Sequence, residues 1–201
     1  SEELVIVNRG DHAEIALGTN KTLDNAYSAN VVDICPVGAH TLREFRFQKR
    51  SWFLTKTNSV CSGCARGCSI TVEHDKGIVY RLRPRNNSAV NGDWMCDEGR
   101  FVFESLKDES RIEDPLVMRG GEHEVVGWDE ALEAATKIIT DGGADTAGLG
   151  SANATNEENF LLGRVLDAVK SKKLGVGFDW EPKGEDDDIL HRADLTPNRT
   201  G

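Results

Sequence analysis

Four cysteines define the chemistry open to this chain: Cys61, Cys64, Cys68 and Cys96 follow the pattern C-x2-C-x3-C-x27-C. The total is five, an odd count, and three of them fall within eight residues, which does not resemble the disulfide framework of a secreted domain. Thiolates this close converge only if the backbone curls round a common centre. Gly63 and Gly67 permit that curl, because a residue without Cβ adopts positive φ without strain. Two metals suit four thiolates, a 4Fe-4S cube and a single structural zinc. Zinc sites usually pair C-x2-C knuckles. Here the first knuckle runs on into a third cysteine and the fourth stands alone, a spacing better suited to the corners of a cube. Zinc remains the alternative, with the thiolates stapling a small interaction module of no redox role.

The fourth thiolate must be carried home. Residues 69–74 and 78–83 read as two strands joined at Asp75-Lys76-Gly77, a short glycine-containing turn. After Pro84 a turn-rich loop with Asn86, Asn87, Ser88, Asn91 and Gly92 leads into Trp94, Met95 and Cys96. Arg66, Arg81, Arg83, Arg85 and Arg100 lie near the cysteines in sequence, and cations there would stabilise a reduced, anionic cluster and tune its potential. A solvated hairpin face accounts equally well for Arg81 and Arg83.

These residues carry a resemblance. Cys61-Ser62-Gly63-Cys64-Ala65-Arg66-Gly67-Cys68, the hairpin, and Val90-Asn91-Gly92-Asp93-Trp94-Met95-Cys96-Asp97-Glu98-Gly99-Arg100-Phe101 resemble the 4Fe-4S module that opens the molybdopterin oxidoreductase superfamily. Within it they look most like the large iron-sulfur subunit (the G, or 75 kDa, type) of NADH:quinone oxidoreductase, respiratory complex I. Molybdenum and tungsten enzymes of the superfamily, formate dehydrogenases among them, usually carry a Lys two residues after the last cysteine. This chain has Glu98, and Cys96-Asp97-Glu98-Gly99-Arg100 is the form typical of the complex I subunit. No molybdopterin is therefore expected.

The amino-terminal segment agrees. Asn30-Val31-Val32-Asp33-Ile34-Cys35-Pro36-Val37-Gly38-Ala39 resembles the point at which that subunit supplies the last ligand of a second, ferredoxin-like 4Fe-4S cluster. Cys followed by Pro is a usual end to such a ligand run. The resemblance implies three further ligands upstream, and none precedes Cys35 here. A lone cysteine is more often a buried, unliganded thiol at a strand end, but the flanking Asp33-Ile34 and Pro36-Val37-Gly38 resemble the family and favour the ligand reading. Phe45, Phe47, Trp52 and Leu54 are candidates to pack a linker between the two sites. His12, His40, His74, His123 and His191 show no ligand spacing, and His40 alone is close enough to Cys35 in sequence to tune it.

Beyond residue 112 the character changes. Residues 129–139 place Leu132, Ala135, Ile138 and Ile139 on one side of a helix with Asp129, Glu130 and Glu133 near its start. Residues 147–150 read as a short buried strand. Thr155-Asn156-Glu157-Glu158 has the form of a capping box before a helix with Phe160, Leu161, Leu162, Val165, Leu166 and Val169 on its apolar side. Helix, strand and capped helix imply an α/β layer. Pro115-Leu116-Val117, the stretch from Gly127 to Leu132 and the capping box resemble the start of the molybdopterin oxidoreductase catalytic domain. Gly148-Leu149-Gly150 does not complete a dinucleotide fingerprint and reads as a tight strand end. The acidic run at 181–188 reads as a solvated loop rather than a calcium site, lacking the alternating oxygen pattern.

The expected class is thus α+β or α/β, a small β-hairpin-containing 4Fe-4S module followed by the first α/β units of a molybdopterin-oxidoreductase-like domain. The expected divisions are 1–40, the tail of a ferredoxin-like domain; 41–56, a linker; 57–112, the 4Fe-4S module; and 113–201, a partial α/β domain. Of 201 residues 38% are hydrophobic, enough for a packed core, and no apolar run approaches the roughly 18 residues of a membrane helix. Residues 1–40 carry 2 basic and 6 acidic side chains, 41–119 carry 14 and 11, and 120–201 carry 8 and 17. An acidic chain with a mildly basic middle is unsuited to nucleic acid. The chain opens Ser1-Glu2-Glu3, without a leader, as an internal or truncated segment would.

The resemblance implies an electron carrier with no bond chemistry of its own. It would work beside flavin- and NADH-binding and other iron-sulfur subunits, and reach the membrane arm and quinone only through them. Its place would be cytoplasmic, peripheral on the inner face of the bacterial plasma membrane. An iron-sulfur subunit of an NAD-linked formate dehydrogenase or hydrogenase is the alternative within the same architecture.

Overall fold

The computed structural model describes residues 3–177 and 184–198. They form two compact units, one of residues 3–61 and 68–102, the other of 62–67, 103–177 and 184–198. The division assigns the tip of the cysteine loop to the second unit.

The first unit opens with an antiparallel pair, β1 (Leu4–Val7) and β2 (Glu14–Leu17), and a one-turn helix α1 (Asn30–Ile34). Its centre is a three-stranded antiparallel sheet of β3 (Thr55–Val60), β4 (Ser69–Asp75) and β5 (Ile78–Pro84), in the order β3-β4-β5. The β4–β5 hairpin lies where the sequence predicts it, but its turn has two residues rather than three. Asp75 pairs with Ile78, and Lys76 (φ 49°) and Gly77 (φ 82°) both take left-handed backbone, the two-residue geometry that matches strand twist. A register shift between Glu73 and His74 accommodates the twist. The third strand, β3, falls partly in the expected linker and extends the hairpin to three strands. All six of its residues are exposed, so no alternation marks it in the sequence.

The linker residues pack less than expected. Leu54 is buried and Phe45 half-buried, but Phe47 is 91% exposed and Trp52 is also exposed. The difference lies in the cations. Arg46 stacks on Phe47 and Arg50 on Trp52 in the open, while Arg81 covers Phe45 at 4.1 Å. The unit closes with α2 (Asp97–Phe101), which packs on β5.

The second unit begins with a hairpin of β6 (Leu116–Arg119) and β7 (Glu122–Val125), turned by Gly120 and Gly121 at positive φ. Helix α3 (Trp128–Gly142) follows, joined to the hairpin by the pairing of Arg119 with Glu130. Strands β8 (Ala147–Ser151) and β9 (Lys173–Gly177) then pair in parallel across α4 (Asn156–Ala168), a βαβ unit that bears out the α/β layer. The capping box is complete: the Thr155 hydroxyl accepts from the Glu158 amide at 3.2 Å, and the Glu158 carboxylate accepts from the Thr155 amide at 2.7 Å.

Gly148 and Gly150 permit close approach of helix to strand. A Cβ at Gly148 would stand 2.7 Å from Leu166 Cδ1, and one at Gly150 would stand 2.7 Å from Asn159 Oδ1. The strand is not buried as expected, since Leu149 is 74% exposed. Leu132 and Ile138 of α3 and Phe160, Leu161 and Val165 of α4 are exposed too, with only Leu166 fully buried. The amphipathic patterns are real, but within the described residues a two-stranded sheet covers only one side of one helix. Of the acidic run, residues 181–183 lie outside the described residues. Asp186 and Asp187 instead accept backbone amides, Asp186 from Ala193 at 3.0 Å and Asp187 from Leu190 at 2.7 Å.

Candidate metal centre

Cys61 and Cys68 stand at the neck of the loop between β3 and β4. The last pair of the ladder is Val60 with Ser69, and one step beyond it the Cys61 amide donates to the Cys68 carbonyl at 2.8 Å. Adjacent strands lie about 4.8 Å apart, so the ladder brings these two positions together whatever the loop does. Within the loop the Gly67 amide donates to the Cys64 carbonyl, and of the two glycines it is Gly67 that takes left-handed backbone, φ 63°. Cys96 caps the start of α2, its sulfur accepting from the Gly99 amide at 3.3 Å.

The return loop is fixed by Asn91, one of the most deeply buried polar residues. Its Oδ1 accepts from the Ser69 amide at 2.9 Å and its Nδ2 donates to the Trp94 carbonyl at 3.0 Å, locking the approach to Cys96 onto the start of β4. The sequence marks Asn91 only as a turn former. Its buried role needs a partner 22 residues away.

All four cysteines are buried and all are thiols rather than disulfides. Among the described residues no three His, Cys, Asp or Glu side chains converge as a single bound ion needs. A 4Fe-4S cube takes each of four thiolates at its own iron. A cradle supports the same donor set. A Cβ at Gly99 would meet Cys61 Sγ at 3.0 Å, Cys96 Sγ at 3.3 Å and Met95 Cε at 3.6 Å, so a larger residue there requires both sulfurs to shift. The residues fit a cluster held by thiolates.

Cys35 differs. It ends α1, is half-buried, and is followed by Pro36 and by Gly38 at φ 67°. The chain folds back so that backbone amides face the sulfur. That of His40 acts most strongly, those of Val37, Ala39 and Gly38 assist, and together they outweigh burial and hold the thiol below its usual range. His40 thus contributes its amide.

Three of the arginines pair with carboxylates. Arg81 pairs with the buried Glu73 at 2.5 Å, Arg83 with Asp33 at 3.0 Å, and Arg100, 1% exposed, with Asp33 at 2.8 Å. Arg66 is half-buried on the loop. The sequence places all of these near the cysteines but does not reveal that Glu73 and Asp33 claim three of them.

Two family models place the chain in the class of iron-sulfur proteins. Residues 1–41 match the ferredoxin-like domain of NADH-quinone oxidoreductase subunit 3, and residues 54–108 match the molybdopterin oxidoreductase Fe4S4 domain. The cofactor of such modules is the 4Fe-4S cluster. The chain is a homologue of the large iron-sulfur subunit of NADH-quinone oxidoreductase. It is 32% identical to the G subunit of that oxidoreductase from Rickettsia bellii over 90% of this chain and 27% of that protein. It is 36% identical to subunit 3 of the Thermus thermophilus oxidoreductase over 86% of this chain and 22% of that protein. With the 75 kDa subunit of the NADH-ubiquinone oxidoreductase of Reclinomonas americana the figures are 30%, 98% and 29%. The chain thus spans about a quarter of the length of these relatives.

Proposed function

We propose that the chain is the cluster-bearing part of the large iron-sulfur subunit of an NADH:quinone oxidoreductase. In this reading Cys61, Cys64, Cys68 and Cys96 hold one 4Fe-4S cluster, and Cys35 is the last ligand of a second. The observation that carries it is the set of four buried thiols in a segment that matches an Fe4S4 domain. When bound, such a cluster supplies one-electron transfer. The chain's own residues exclude water from the sulfurs, direct the Gly99 amide at Cys96 and the amides of residues 37–40 at Cys35, and keep the Gly99 cradle open.

Residues 1–40 serve as the tail of the ferredoxin-like domain, 57–112 as the cluster module and 113–201 as the beginning of an α/β domain. The chain passes electrons from NADH, by way of flavin on a partner subunit, toward quinone, and does so among other iron-sulfur subunits. No helix among the described residues is long and apolar enough to cross a membrane. The chain takes a peripheral position on the inner face of the bacterial plasma membrane, held there by partner subunits, a reading the homology supports.

The test is metal content by mass spectrometry on anaerobically purified chain, with electron paramagnetic resonance after dithionite reduction. About four iron per chain with a reduced-cluster signal is expected. About one zinc without a signal overturns the electron-carrier reading.

A further inference from the structure

Cys96 is gripped on both sides by one short segment of the amino-terminal region. Immediately before it, the Asn30 side chain forms a two-way pair with the Met95 backbone: Nδ2 donates to the Met95 carbonyl at 2.8 Å, and Oδ1 accepts from the Met95 amide at 3.2 Å. Immediately after it, the Asp97 carboxylate accepts from the Ser28 hydroxyl at 2.6 Å and from the Ala29 amide at 3.1 Å, and the Asp97 amide donates to the Ala26 carbonyl at 2.7 Å. Asn30 is buried and fully used, since Nδ2 also donates to the Tyr27 carbonyl at 3.0 Å and Oδ1 also accepts from Arg100 at 3.2 Å. Arg100 in turn reaches Asp33 on the same helix.

Asn30 opens α1, and Cys35 closes it. At 1.5 Å of rise per residue the two stand within about 8 Å of each other along a rigid turn. A single helical turn is too short to hold itself. Its order therefore comes from what it grips, and what it grips is the backbone on either side of Cys96.

We infer that Asn30 is a positioning residue that makes the Cys35 segment and the Cys96 segment one mechanical unit, so that filling the four-cysteine site orders the turn ending in Cys35. This rests on the ligand reading above. Fixing Cys96 on iron removes the local opening of residues 95–97, and the clasp passes that restraint to residues 26–35.

The experiment is hydrogen exchange by mass spectrometry on the full chain, before and after anaerobic reconstitution with ferrous iron and sulfide, with bound iron counted separately. In wild type, loading is expected to slow exchange about tenfold or more both over 95–101 and over 26–35. In Asn30→Ala the slowing persists over 95–101 and falls to about threefold or less over 26–35. Ser28→Ala, which removes one hydroxyl bond and keeps Asn30, lies between and serves if the first variant fails to fold. A residue that merely stabilised the fold would change both states alike and leave the response to loading intact. Equal slowing over 26–35 in wild type and in the variant that folds overturns the inference, as does iron-loaded wild type that slows only over 95–101. Wild type that takes up no iron overturns the ligand reading itself, and the inference with it.

Discussion

Gly99→Ala separates the demands of the cluster from those of the fold. Gly99 lies inside α2 without positive φ, so alanine suits the backbone there and gains about 1 kcal/mol of helix propensity. The added methyl would stand 3.0 Å from Cys61 Sγ and 3.3 Å from Cys96 Sγ, and overpacking of this kind costs about 1–3 kcal/mol where neighbours cannot move. Thiols without iron can rotate by a few tenths of an ångström, so in the metal-free chain the two effects nearly offset. Sulfurs bonded to iron cannot rotate, so the whole penalty falls on the loaded state. The expected outcome is an unfolding free energy in urea within about 1 kcal/mol of wild type for the metal-free chain. Iron loss to a chelator should become about ten- to a hundredfold more favourable, at about 1.4 kcal/mol per factor of ten. Wild-type iron retention in the variant would refute the cradle, and an equal loss of metal-free stability would show that Gly99 serves packing rather than the sulfurs.

Arg100→Ala removes a fully buried cation from Asp33 and Asn30 and should cost about 3 kcal/mol or more in urea unfolding; a loss below about 1 kcal/mol would mean Arg83 alone satisfies Asp33. Thr155→Ala opens the capping box of α4 and should cost about 1 kcal/mol, read as a lowered midpoint at unchanged slope. The hydrogen bond from Lys49 holds the Asp75 carboxyl below its usual range. The stability this pairing contributes is present above the unfolded carboxylate value of about 3.9 and is lost as pH falls through the lower folded value. Asp75→Asn should therefore flatten the acid limb of a stability-against-pH curve, and an unchanged limb would show the pair to be inert. Lys49 is raised by the same bond, so its share is present below the unfolded lysine value and is lost only as pH rises through the higher folded one.

The features legible in the chain alone are local ones. The spacing of Cys61, Cys64 and Cys68, the β4–β5 hairpin and the α4 capping box are set by residues two to eight apart, and their chemistry is the same in any surrounding. The rest depends on tertiary contacts. Strand β3 is exposed along its whole length, so no alternation announced it, and only pairing with β4 makes it a strand. Arg81 and Arg83, placed near the cysteines by sequence, went to Glu73 and Asp33, because partially buried charges take the nearest opposite charge before they act at a distance. Asn30 and Asp97 fall inside the motifs that carry the resemblance, but their role is not legible there, since the bonds that make them matter join residues 65 to 69 apart. The helix periodicities were legible and correct, yet which apolar face is buried depends on what lies against it, and a period carries no information about a neighbour.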